Sequence, residues 1–363
     1  MKKHLIAAAV AAAVAVPAMA QNVTVYGAID VNVRSLDNGP VRGTSLGNDT
    51  LNTSRVGLRG SEDLGGGLKA NFQLQGAFVA PNGSATTGAA ATAGSNNDST
   101  GLTGVQNFNF GEEAWVGVSG GFGELRIGRT DVTGLNALDS TVGNAGNAFN
   151  SVSVNGSGFE LGNNLGDTVR YISPRVNGIQ LDLGYRLSTT KGNATRDNQD
   201  GLTAALLSYV SGPAGLYLGM SQTDPRAGAA SDTELSYDAF GGTYDAGFAK
   251  FGLLYARADA NTNSNKKDRK QTIINAVFPV GNGVSIHAAA MNTKADGADN
   301  KASGFSLVAV KALSKRTSIY GGYTDVNNKA GSQVSWSLTG AAASAIAADA
   351  DPAAFAVGIS HTF

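Results

Sequence analysis

Apolar and polar side chains alternate one by one along much of this chain, in runs of roughly ten to twelve residues separated by Gly, Asn, Asp and Ser. From Val23 to Arg34, Val25, Ile29, Val31 and Val33 share one parity, and Thr24, Asp30, Asn32 and Arg34 share the other. Leu68 to Phe78 repeats this, with Leu68, Ala70, Phe72, Leu74 and Phe78 set against Lys69, Asn71, Gln73 and Gln75. So does Ile179 to Ser188, where Ile179, Leu181, Leu183, Tyr185 and Leu187 oppose Gln180, Asp182, Arg186 and Ser188. The final run, Phe355 to Phe363, places Phe355, Val357, Ile359 and Phe363 on one face and Ala356, Gly358, Ser360 and Thr362 on the other. Successive strand side chains point to opposite faces, so each run predicts a strand with one apolar and one polar side.

About sixteen such segments follow one another, joined alternately by tight turns and by longer polar loops. That layout predicts an all-β, antiparallel up-and-down β-barrel crossing a membrane, with its apolar face in lipid and its polar face in water. A soluble β-sandwich would also alternate, but its polar face would be the outer one.

The amino terminus changes the picture by fixing a compartment. Lys2 and Lys3 precede an apolar run from Leu5 to Val16 and the small-x-small triplet Ala18-Met19-Ala20. This predicts a cleaved signal peptide over residues 1–20 and a single mature domain over 21–363. The run is about 12 residues, short of the roughly 20 that a helix needs to span a bilayer. Losing Lys2 and Lys3 leaves 25 of the 27 basic residues against 28 acidic ones, a formal charge of −3, with no bias toward nucleic acid. No cysteine is present, which excludes disulfides, thiolate metal sites and thiol nucleophiles. Forty-nine glycines, eight prolines and a mean hydropathy of −0.08 suit a barrel whose strands are half polar.

Three connections stand out. Pro81 to Gly104 and Val326 to Ala353 are low in complexity and read as extracellular loops; Thr130 to Gly166 interrupts the barrel after the fifth segment and its length points to function. The run Lys266-Lys267-Asp268-Arg269-Lys270 reads as a further solvated loop. Catalysis finds little support: His4 leaves with the signal, while His287 and His361 are far apart in sequence and no nucleophile-elbow motif accompanies them. Gly65-Gly66-Gly67 and Gly120-Gly121-Phe122-Gly123 fall between strands, lack the lysine-serine pair of a P-loop, and read as turns. No cofactor or metal site is expected, and the chain is not expected to be an enzyme.

Several longer motifs carry a resemblance. They are Val25-Tyr26-Gly27, Ser54 to Lys69 (SRVGLRGSEDLGGGLK), Glu113 to Gly123 (EAWVGVSGGFG), Ile127-Gly128-Arg129, Val169 to Pro174 (VRYISP) and the final Phe363. In this order they resemble the Gram-negative general porin family over the whole mature length. The resemblance implies a sixteen-stranded trimeric barrel in the outer membrane, among its lipid and lipopolysaccharide, with Phe363 as the terminal assembly signal. It also implies a third loop folded into the lumen as a constriction, through which ions and small hydrophilic solutes diffuse passively.

Fixed charges in a narrow aqueous passage with low-dielectric walls act with little screening, so basic and acidic residues facing each other there set ion preference. Alternation points Arg55 and Arg59 inward with Gly57, and Asp30, Arg34 and Lys69 inward as well. By resemblance Arg55, Arg129 and Arg170 match the basic wall of the family's constriction, while a lysine of some relatives is replaced by Ala28. Arg129 shares its parity with Leu125 and Ile127, so an inward arginine requires a bulge at Gly128. For the acidic side the third loop offers Asp139 and Glu160; Asp131 and Asp167 sit at its ends and suit turn or cap roles. Several arginines against few loop acids predict a general diffusion channel with mild anion preference. The alternative is a substrate-selective outer-membrane channel with a dedicated binding site.

Overall fold

The computed structural model describes residues 23–37, 39, 42–86, 108–138, 142, 152–154, 164–187, 189–190, 198–199, 201–224, 234–262, 265–295, 301–329, 334–336 and 350–363. The predicted signal peptide, most of the stretch from Pro81 to Gly104, and both Asp139 and Glu160 lie outside these residues.

The alternating runs become the strands of one closed sheet. These are β1 (Thr24–Asp37), β2 in two pieces (Arg42–Asn48 and Arg55–Gly65), β3 (Leu68–Val79), β4 (Glu113–Gly120), β5 (Gly123–Thr130), β6 (Leu165–Ile172), β7 (Ile179–Arg186) and β8 (Gly201–Ser211). There follow β9 (Ala214–Asp224), β10 (Glu234–Asp245), β11 (Lys250–Thr262), β12 (Asn265–Gly281), β13 (Val284–Ala295), β14 (Lys301–Ala312), β15 (Thr317–Lys329) and β16 (Ala353–Thr362). Each strand pairs antiparallel with the next. β16 then pairs with β1, Ala28 opposite Thr362 and Asp37 opposite Ala353, which closes the sheet into a sixteen-stranded barrel. The carboxyl-terminal Phe363 continues that seam by exchanging backbone hydrogen bonds with Gly27 at 3.0 and 3.1 Å.

The outer face is apolar. Val25, Ile29, Val33, Val116, Ile127, Leu218, Ile274, Phe355, Val357 and Ile359 all stand exposed on it. Aromatic side chains gather toward the short-turn end, where Phe122, Tyr209, Tyr244, Phe248, Phe278 and Phe363 are exposed and Tyr171 is half-buried. That arrangement matches the aromatic girdle of a bilayer interface. Tyr171 also donates to the Phe122 carbonyl at 2.6 Å.

Two loop expectations need correction. Lys266 to Lys270 belongs to β12, because the β11–β12 hairpin extends the ladder past the barrel rim with Asp259 opposite Asp268 and Arg257 opposite Lys270. Arg257 bridges Asp259 and Asp268 at 2.9 and 3.5 Å, which offsets the facing carboxylates. Val326 to Lys329 likewise continue β15 rather than opening a loop.

The inner face departs from a uniformly polar lining. Leu254, Ala256, Ile273, Met291 and Val326 have inward parity and are buried in one apolar cluster with Leu135, Leu138 and Val142 of the long β5–β6 connection. Alternation marks lipid on one side and water on the other only where nothing covers the inner wall; here a loop does.

Candidate functional site

The connection after β5 is laid against the inside of the barrel by features of both partners. Thr133 caps a short 3-10 turn, Gly134–Ala137, by accepting from the Leu135 N–H, and Val132, Leu135, Leu138 and Val142 are buried. Across from them lie glycines, one each on β7, β9, β10 and β11. A Cβ on Gly184 would strike the Val132 backbone, one on Gly219 the Leu135 side chain, and one on Gly252 the Val142 carbonyl. On Gly241 it would lie 2.9 Å from Val142 and 3.1 Å from Leu138. Four strands thus omit a side chain where the loop approaches, at Gly184 and Gly252 its backbone and at Gly219 and Gly241 its side chains. Farther along, Val152–Val154 pairs with Val334–Trp336, joining this connection to the one before β16.

An ion pair holds the loop's first turn. Arg170 on β6 meets Asp182 on β7 in a two-pronged contact, Nε to Oδ1 at 3.0 Å and a terminal nitrogen to Oδ2 at 2.7 Å, with both side chains about 10% exposed. Asp182 Oδ2 also accepts from the Gly134 N–H at 2.7 Å, and Arg170 donates to the Asp131 carbonyl at 3.3 Å. Asp131 Oδ1 accepts from the Asn164 N–H at 2.9 Å, tying together the two ends of the connection, and Asp167 takes a positive φ of 55° at the start of β6. Arg170 is therefore inward, as its parity requires, but its charge is matched by Asp182.

Asp30 is inward too, yet its residue exposure is 0%. Its carboxylate accepts from the N–H groups of Thr50, Leu51 and Asn52 at 3.2, 2.9 and 3.1 Å and from the Tyr320 hydroxyl at 2.6 Å. These bonds hold the break between the two pieces of β2, after which the chain resumes at Arg55. Asp30 is a positioning residue for the wall rather than a charge in the channel water. Arg34 is half-buried and contacts Ser45 at 3.4 Å, while Lys69 is exposed near the short-turn end, opposite Asp63 and Ser119.

The remaining arginines converge on the β2–β6 side. Arg55 is half-buried and interacts with the Glu112 carboxylate; Arg59 is exposed, with its guanidinium 5.0 Å from the Tyr26 ring centre. Arg129 does sit at a bulge: the β5–β6 register shifts between Gly128 and Thr130, and Gly128 has φ = 138°, in a region that favours glycine. Its Nε donates to the Gly111 carbonyl at 2.5 Å and its charge interacts with Glu113.

Sequence reasoning placed acids inside the third loop and passed over those at its foot. Glu112 ends the preceding connection and Glu113 opens β4, and Glu112 accepts from Gln75 at 2.6 Å. Burial holds the Glu112 carboxyl above its usual range, partly offset by its Gln75 hydrogen bond and by Arg55. Inward parity identifies Glu113, but Glu112 precedes the strand and alternation gives no signal for it.

The comparisons with known proteins agree with this architecture. A model of the Gram-negative porin family matches residues 7–331. Outer membrane porin protein 32 of Delftia acidovorans is 30% identical over all of this chain and all of its own length. Among solved structures, an anion-selective porin from Comamonas acidovorans superposes with a TM-score of 0.75 at 26% identity, covering 94% of this chain and 100% of that one. A trimer form of OmpT from Vibrio cholerae, 16% identical, shares the fold with a TM-score of 0.66 over 95% of this chain and 100% of that one.

Proposed function

Because the chain belongs to the Gram-negative porin family and is an outer-membrane channel rather than an enzyme, we propose that it is a general diffusion porin. It passes ions and small hydrophilic solutes with a mild preference for anions. The observation that carries the preference is the one-sided placement of Arg55, Arg59 and Arg129 on the β2–β5 wall, of which Arg59 makes no ion pair among the described residues. Two charges 4 Å apart interact by about 4 kcal/mol at an effective dielectric constant near 20, so an unpaired guanidinium in a narrow passage biases the permeating ion. Glu112 and Glu113 on the same side offset part of that field and make the preference mild. The similarity to a porin titled anion-selective points the same way.

Within this reading the β5–β6 connection forms the constriction, and Asp139 and Glu160 contribute acids to its far side. Residues 1–20 act as a cleaved export signal, and Phe363 serves as the assembly signal at the barrel seam. In a bilayer bathed in unequal KCl, the wild-type reversal potential should lie on the anion side and move toward zero in Arg55→Ala. A clear cation preference of the wild type would overturn the proposal.

The channel works as a homotrimer in lipid and lipopolysaccharide, a reading supported by the trimeric relative of the same fold. In mild detergent without heating, the protein should migrate near three times its 36.8 kDa chain mass, less the signal, and collapse to a single-chain band on boiling. An unheated band at the monomer position would count against the trimer.

A further inference from the structure

The outer face carries a charged feature at the long-loop rim of β11–β15. Register sets basic side chains next to one another there, one per strand: Arg257 faces Lys270, Lys270 faces Lys294, Lys294 faces Lys301, and Lys301 faces Lys329. Strand by strand they share the parity of the exposed Leu253, Ile274, Ala290, Phe305 and Tyr323, so the row stands on the lipid side, and its four lysines are exposed. We propose that this row and the wall beneath it form a docking site for a phosphorylated, acylated sugar lipid of the outer leaflet, held without a bridging divalent cation.

Like charges directly opposite across strands repel, and here such pairs follow one another over five strands. Arg257 is matched by Asp259 and Asp268 at 2.9 and 3.5 Å. Lys270, Lys294 and Lys329 make no ion pair among the described residues. The repulsion along the row is relieved when an anion from outside the chain lies against it. Ammonium groups on flexible stems meet phosphate oxygens as point charges, and their stems lie along apolar wall while the heads stay at the interface.

The wall beneath selects a lipid over a free phosphate. Two residues toward the short-turn end lies a polar row in which Thr272 faces Asn292, Asn292 faces Ser303, and Ser303 faces Asn327. Four residues from the lysines, about 14 Å along each strand, an apolar groove of about 560 Å³ opens. Ala276, Ala288 and Ala290 form its floor, with Phe251 on one side and Phe305 and Leu307 on the other. Phosphate, hydroxyl and hydrocarbon are thus accommodated in the order in which such a lipid presents them, and basic clusters at a membrane surface attract anionic headgroups.

The site requires a barrel in the outer membrane but not an open pore, so lipid retention and conductance are read separately. With the full mature chain in nonionic detergent and excess EDTA, native mass spectrometry should show bisphosphorylated lipid A retained, and its dephosphorylated form retained about tenfold less. Lys270→Gln/Lys294→Gln/Lys301→Gln should lower retention of the phosphorylated form by about the same factor. Ala288→Phe, which fills the groove, should also weaken it with every lysine intact, whereas Lys315→Gln, at the short turn after β14, should change nothing. Wild-type conductance in these variants would show that they are folded; if the triple variant does not fold, Lys294→Gln alone should still weaken retention severalfold. Equal retention of the two lipid forms, or displacement of the lipid by equimolar inorganic pyrophosphate, would overturn the docking site. Lys294 already shielded from an amine-acylating reagent in the lipid-free oligomer would assign this face to a second subunit and overturn it as well. Lipid retained by a protein that does not conduct would uphold the site and sink the channel reading instead.

Discussion

Replacing Gly184 by valine should raise single-channel conductance severalfold, the largest functional change expected from one substitution in this protein. Gly184 faces inward on β7, and the first Cβ added there would occupy the position of the Val132 backbone carbonyl. The strand cannot yield, since Gly184 is paired on both sides, with Arg170 of β6 and Ala204 of β8. The loop can, and overpacking of this sort costs about 1–3 kcal/mol. That is comparable to what a few buried aliphatic contacts contribute, so the loop should leave its seat and widen the passage. Gly242→Val is the control, because Gly242 has outward parity on β10 and its nearest atoms to an added Cβ are 3.9 Å away. Conductance should be unchanged there. Wild-type conductance in Gly184→Val would show that the loop does not narrow the pore at this point.

The Arg170–Asp182 pair should give the second largest effect, with opposite signs from its two halves. Asp182→Asn leaves a guanidinium in a site about 10% exposed with no carboxylate beside it, and Arg170→Met leaves the reverse. Removing one partner of a buried pair costs about 3–5 kcal/mol, because the survivor keeps its desolvation without its counter-charge. Both variants should therefore unfold more readily in denaturant and show noisier open-channel current, as the turn at Gly134 loses its clamp. Their reversal potentials should separate, Asp182→Asn moving toward anions and Arg170→Met toward cations. If the double variant Arg170→Met/Asp182→Leu is as stable as wild type yet equally noisy, the pair serves loop placement more than barrel stability. Identical reversal potentials in all of them would put the pair outside the field that ions sense.

The strands were legible wherever one side faces lipid. β1, β3, β7 and β16 follow the alternation of their residues to within a few positions, because lipid selects an apolar parity along the stretch that crosses it. Legibility ended where the wall meets protein instead of water. Leu254, Ile273 and Met291 carry inward parity and apolar chains, a pattern that hydropathy alone assigns to nothing, since it depends on a loop more than a hundred residues earlier. The arginines divide in the same way. Parity pointed Arg55, Arg59 and Arg170 inward, but whether a charge is free depends on cross-strand neighbours. Asp182 lies diagonally from Arg170 in the β6–β7 register, and no spacing within either strand reveals that meeting. Arg129 broke parity, and the glycine before it was the visible cue to the bulge. The acids legible as constriction candidates lie within the third loop, whereas Glu112 and Glu113 stand at the foot of the adjoining strand.

The seam between β1 and β16 bears on how the molecule is made. It joins Gly27 to Phe363, so the last contact of the barrel unites residues from opposite ends of the chain. Bringing such distant points together carries a loop-closure entropy on the order of 5 kcal/mol, which no local turn recovers. Closure is therefore expected late, after the hairpins have zipped in sequence. Until then the growing sheet presents two unpaired strand edges, each a template for another chain. A protein truncated before Ala353 would keep both edges permanently, and its fate would be decided by aggregation rather than by the pore it nearly encloses.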